Sequence, residues 1–170
     1  SLVNQVTKTA KQNWKSVLLN NKIIKNRKGE LIMIQLIVGN KGTGKTIRLI
    51  DYINGAVETS KGSVVCVEKG SNLRFNLTNK ARLIDVDTYG IASFDELYAF
   101  VSGLCASNYD ITDLCIDGTL KIGGKDTEAL VHFLDRLSVL AEESNVKMLL
   151  TVSCAAAELP EGIQHVANII

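Results

Sequence analysis

From residue 31 onward, short apolar runs alternate with longer stretches whose apolar residues recur every three or four positions. Residues 31–38 (LIMIQLIV) are apolar and largely β-branched, which predicts a buried strand. Ile47, Ile50, Ile53 and Val57 then fall at helical spacing. Residues 64–67 predict a second strand, closing on Glu68, and residues 83–86 a third. Ser93-x-x-Glu96 is a capping box that opens a helix with Phe94, Leu97, Tyr98, Val101 and Leu104 on one face. Residues 113–116 predict a fourth strand, ending at Asp117. Asp126 caps a long helix carrying Leu130, Leu134, Leu137 and Leu140, residues 148–152 are a fifth strand, and residues 163–170 add an edge strand. Residues 70–80 and 118–125 read as loops, the second flexible through Gly123-Gly124. Repeated βα units of this length predict an α/β fold in three layers, with a mainly parallel sheet between two layers of helices.

Ahead of residue 31 the pattern changes. Val3, Val6, Ala10, Trp14, Val17 and Leu18 form one apolar stripe at helical spacing, and residues 20–28 are polar, basic and linker-like. Residues 1–30 carry seven of the 19 basic residues and one of the 18 acidic ones. The chain as a whole is +1, so residues 31–170 are left at −5. The organisation expected is a basic helical extension at 1–30 followed by a single domain at 31–170. A second origin for the extension stands beside the first. Lys28-Gly29-Glu30 can be encoded AAA-GGA-GAG, which contains a bacterial ribosome-binding sequence, with Met33 two codons further on. Residues 1–32 are then a translated leader.

Composition narrows the function classes. The acidic body has no broad electrostatic footprint for nucleic acid, so such a partner is possible but not indicated. No apolar run reaches membrane-spanning length, and no membrane partner is expected. Cys66, Cys105, Cys115 and Cys154 form no C-x-x-C pair and read as reduced core residues of a cytoplasmic protein. His132 and His165 stand in no ligand pattern.

The chemistry concentrates at Gly39-Asn40-Lys41-Gly42-Thr43-Gly44-Lys45-Thr46, which fits the phosphate-binding spacing G-x-x-x-x-G-K-[ST]. A strand precedes it and a helix follows, as the chemistry requires. The glycines let the backbone approach a ligand closely, and the loop amides and helix N-terminus converge on an anion. Lys45 would reach the β- and γ-phosphates of ATP, and the Thr46 hydroxyl would hold Mg²⁺. In open α/β sheets ligands sit beyond the carboxyl ends of the strands. Glu68, Asp87, Asp117 and Ser153-Cys154 lie there. Asp117 has the position of a Walker B aspartate that holds Mg²⁺. The residue after it is Gly118, where many ATPases of this kind carry a catalytic Glu.

On these residues the chain resembles the RecA-like ATPases, which include KaiC and the hexameric replicative helicases. The resemblance spans residues 31–154 and implies a P-loop NTPase with sheet order 3-2-4-5-1, counting strands from residue 31. It further implies that Glu68 is the catalytic base and that a polar sensor stands at Ser153 or Cys154. Arg48, Arg74, Arg82 and Arg136 are its arginine-finger candidates. The order of elements is also similar to thymidine kinases, whose Asp-Glu Walker B pair and zinc ribbon are missing. The function expected is a small bacterial-type, Mg-dependent ATPase, with a protein partner or homo-oligomer possible. The alternatives are a non-catalytic nucleotide-binding regulator and a nucleoside-type kinase, with residues 118–125 as the lid.

Overall fold

The computed structural model describes residues 24–25, 29 and 31–170. The apolar stripe at 3–18, with Trp14, lies outside the described residues. In chain order the elements are β1 (Ile34–Val38), α1 (Lys45–Thr59), β2 (Ser63–Glu68), β3 (Arg82–Asp85) and α2 (Phe94–Ser107). They continue with β4 (Ile111–Ile116), the single-turn α3 (Thr119–Gly123), α4 (Thr127–Ser144), β5 (Lys147–Val152) and β6 (Ala167–Ile169). The six strands form one sheet in the order β3-β2-β4-β5-β1-β6, and every neighbouring pair is parallel. The expected order 3-2-4-5-1 is therefore observed, with β6 added beside β1.

Alternation along the strands builds two cores. Leu36, Val65, Val67, Leu114, Ile116 and Leu150 point to the face covered by α2, α3 and α4. Ile37, Val64, Cys66, Cys115 and Leu149 point to the other face, under α1. Successive side chains of a strand leave the sheet on opposite sides, so central strands buried on both faces read as continuous apolar runs. The helices present the stripes expected of them. Leu49 and Ile53 of α1, Leu97 and Val101 of α2, and Leu130, Leu134 and Leu137 of α4 are all fully buried.

Helix starts follow the predicted caps, with one variation. Ser93 Oγ accepts from the Glu96 amide at 3.1 Å, while the Glu96 carboxylate reaches past Ser93 to the Ala92 amide at 2.6 Å. Asp126 accepts from the amides of Glu128 and Ala129. Each such cap satisfies a backbone donor that the helix itself cannot, typically for about 1 kcal/mol.

Three segments depart from the sequence expectations. The strand at 31–38 is broken at Met33. Leu31–Ile32 pairs antiparallel with Ile24–Lys25 in a separate two-stranded sheet, and only Ile34–Val38 enters the main sheet. Residues 24–25, expected as linker, are thus a strand, and the expected boundary at 30 falls in sequence between two strands that pair with each other. Residues 118–125 are not an open loop. They contain α3, whose Ile122 is 1% exposed. Between β2 and β3 no helix intervenes, and the connection at 69–81 is held by Leu73, 1% exposed and inserted in the α1-side core.

Candidate functional site

The glycine loop leaves the carboxyl end of β1 and runs straight into α1. Gly42 and Gly44 have φ of 87° and 85°, a conformation that side chains resist. Thr43 N, Thr43 Oγ1 and Lys45 Nζ all donate to the Asn40 carbonyl, at 3.3, 2.8 and 2.8 Å. The loop is therefore closed on itself, with the Lys45 ammonium bent back across it. Gly44 is the N-cap of α1 and offers no side-chain acceptor. The first amides of a 15-residue helix are left facing the loop, with the positive end of the helix dipole behind them. Lys45 is 8% exposed. Burial lowers its pKa, with Asp117 opposing the shift and Lys121 adding to it.

Asp117 follows β4, two places from β1 in the sheet. Its carboxylate oxygens lie 3.4 and 3.5 Å from Thr46 Oγ1, and its amide donates to the Val67 carbonyl. A hydroxyl and a carboxylate at this separation suit a hard cation that seeks oxygen ligands. Among the described residues no group of three or more His, Cys, Asp or Glu forms a metal site. A protein cage is therefore not on offer, and a cation here would depend on its ligand's oxygens as well.

Thr151 is the residue that sequence reasoning missed. It is 1% exposed at the end of β5. Its hydroxyl donates to Asp117 Oδ1 at 2.7 Å and accepts from the Gly118 amide at 2.8 Å. A hydroxyl in the run MLLTV was the available signal, since a buried polar group needs a partner. Ser153 and Cys154, the positions at which a sensor was expected, differ in exposure. Ser153 is exposed, and Cys154 is buried close enough to feel the charge of Lys45. Burial and Glu158 push the Cys154 thiol up, against the pull of Lys45.

Glu68 ends β2, one place past Val67, which pairs with Ile116 just ahead of Asp117, and is 1% exposed. It is not a solvated turn residue. Its carboxylate accepts from the amides of Asn72 and Leu73 at 3.1 and 3.2 Å, and both of its oxygens are so engaged. Burial raises its pKa, the two amides pull it back, and Asp117 and Asp85 raise it further. Gly118 has φ 70°, a conformation that side chains resist, and the stem of Lys121 lies across it.

Each remaining candidate has surroundings of its own. Asp87 is exposed and pairs with Lys69 at 3.7 Å. Arg136 pairs with Asp95 at 2.7 Å and stacks on Tyr98. Arg82 and Arg74 are exposed, and Arg48 is half-buried on α1. The four cysteines are free and buried. No helix among the described residues is long and apolar enough to cross a membrane. No protein-family model matches the chain, and no curated protein matches it either.

Proposed function

We propose that the chain is a RecA-like P-loop protein that binds ATP with Mg²⁺ and hydrolyses it in the cytoplasm. One observation carries this. Lys45 and Thr46 open α1 directly after a glycine loop, and Thr46 faces the Asp117 carboxylate across the strand between them. The loop amides and Lys45 would hold the phosphates in place of the Asn40 carbonyl. Thr46 and Asp117 would hold Mg²⁺, which when bound neutralises phosphate charge. Thr151 fixes the Asp117 carboxylate from behind. Glu68 would orient the attacking water once Asn72 and Leu73 release it, and Lys45 would stabilise charge developing on the phosphoryl oxygens. Four reduced, buried cysteines accord with a cytoplasmic setting.

A specific observation favours a second reading, that of a nucleotide-binding regulator without turnover. Both oxygens of Glu68 are already engaged, and Gly118 offers no substitute. The kinase alternative draws nothing from the fold. β5 separates β1 from β4, and the segment proposed as its lid is the packed α3. Phosphate release from ATP alone separates these readings. Hydrolysis by the parent, with Glu68→Gln slower by about 100-fold or more at unchanged ATP affinity, is expected of the ATPase. ATP binding without phosphate release identifies the regulator, and ADP formation that requires an added nucleoside identifies the kinase.

A further inference from the structure

The single-turn α3 begins two residues after Asp117, and it is fixed in place. Thr119 and Ile122, three residues apart on one face, are 0% and 1% exposed. Gly123 lies against the Phe94 ring, with no room for a Cβ. The amides of Lys121 and Ile122 both donate to the Gly118 carbonyl, at 2.8 and 3.2 Å. The backbone of Lys121 is therefore held, while the residue itself is exposed.

Helix geometry sets where its side chain goes. Long side chains on a helix lean toward the N-terminus and cover the turn before their own Cα. For Lys121 that turn contains Gly118. The Lys121 Cδ lies 3.2 Å from where a Gly118 Cβ would stand, and Cβ and Cγ lie 3.6 Å from it. Glycine leaves this strip of backbone bare, and the lysine stem runs along it. The ammonium is so carried toward the amino end of α3, beside Asp117 and Thr46. Burial lowers the Lys45 pKa, and the nearby Lys121 charge lowers it further. Lys121 makes no ion pair among the described residues. The Asp117 carboxylate is itself taken up by Thr151 and Thr46. A cation in the last turn of a helix suits the dipole, but α3 has five residues and the stem runs the other way.

Two like charges that repel each other beside a loop of free amides favour a bound polyanion. They approach it from different elements. Lys45 rises from the loop and α1, which would cradle the inner phosphates. Lys121 comes from beyond the end of β4, past the oxygens of Thr46 and Asp117 that would hold the metal. We propose that Lys121 is a second phosphate-binding residue of the site, supplied by the same chain, that reaches the terminal phosphate of ATP and sets a preference for ATP over ADP. This rests on the nucleotide reading of the loop but not on turnover, so it applies to ATPase and regulator alike.

Calorimetric titration of the full chain with ATP and, separately, ADP, each with Mg²⁺, tests the proposal. Lys121 is exposed, so Lys121→Gln is expected to fold, and a thermal melt close to the parent's checks this. Its ATP affinity is expected to fall by about 10-fold, the low end for a hydrogen bond between charged groups, with ADP affinity unchanged. Lys121→Arg keeps the charge and is expected to keep most of the discrimination. Lys125→Gln removes an exposed lysine of the same segment and is expected to change neither affinity. Equal ATP affinity in the parent and Lys121→Gln overturns the proposal and leaves the loop's reading intact. So does a loss shared equally by ATP and ADP, a loss reproduced by Lys125→Gln, or an arginine variant as poor as the glutamine one. A parent that binds neither nucleotide overturns the loop's reading and this proposal together.

Discussion

Replacing Thr151 with valine keeps the side chain's shape and removes its hydroxyl. Two bonds go with it, the donation to Asp117 Oδ1 at 2.7 Å and the acceptance from the Gly118 amide at 2.8 Å. The two losses differ in kind. Asp117 is half-buried and can recruit water, so that bond contributes at the low end of the range for charged partners, about 1.5 kcal/mol. Gly118 N–H faces a residue that is 1% exposed, and orphaning it costs about 1–3 kcal/mol. Bonds that share one atom do not add fully, so a net loss of about 2–3 kcal/mol is expected. Urea unfolding reads this as a midpoint lowered by about 1 M or more at an unchanged slope. Thr151→Ser keeps the hydroxyl and is expected to recover most of the loss. A Thr151→Val protein within about 0.5 kcal/mol of the parent, or a serine variant as damaged as the valine one, refutes the hydroxyl's role.

Three further outcomes follow from the same structure. Asp113 is 0% exposed and accepts from Tyr52 and Thr112 while pairing with Lys147 at 3.3 Å, so Lys147 and Tyr52 lose their partner in Asp113→Ala. That variant is expected to lose about 3 kcal/mol in urea melts, and a loss below about 1 kcal/mol contradicts the network. A Cβ on Gly123 would lie 2.2 Å from the Phe94 ring, so Gly123→Ala is expected to destabilise by about 1–3 kcal/mol, and a neutral result means that α3 is not packed against α2. Burial raises the Glu68 pKa, so the folded state holds that proton to higher pH than the unfolded state, whose value is about 4.3. Stability of the parent relative to Glu68→Gln is therefore expected to fall as pH rises from about 4.3 through the folded-state pKa, and a difference that grows with pH contradicts the shift.

The sequence carries the parts of the fold that local pattern decides. Strands buried on both faces announce themselves as apolar runs, and Ser93 and Asp126 mark helix starts because their bonds reach only two or three residues along the chain. The strand order was accessible only through the resemblance, since nothing in residues 147–152 says which strands they will separate. What stayed hidden depends on partners distant in sequence. Thr151 looks like one polar letter in an apolar strand until β4 brings Asp117 beside it, 34 residues away. Glu68 reads as a free strand-end acid because no pattern reveals that two amides of an irregular turn will fold back onto it. Met33 interrupts its strand for a similar reason, since the pairing of Ile24 with Ile32 competes for residues whose hydrophobicity suits either sheet. The short helix at 119–123 was masked by Gly123, which reads as flexibility and serves as clearance for the Phe94 ring.

The central claim is that the loop at 39–46 binds the phosphates of ATP, and calorimetric titration of ATP into the protein with Mg²⁺ tests it most directly. The parent is expected to bind with one-to-one stoichiometry. Among the described residues Lys45 donates only to the Asn40 carbonyl of its own loop, so Lys45→Ala is expected to melt close to the parent while losing measurable affinity. ATP bound equally by the parent and a folded Lys45→Ala protein, or bound by neither, contradicts the claim.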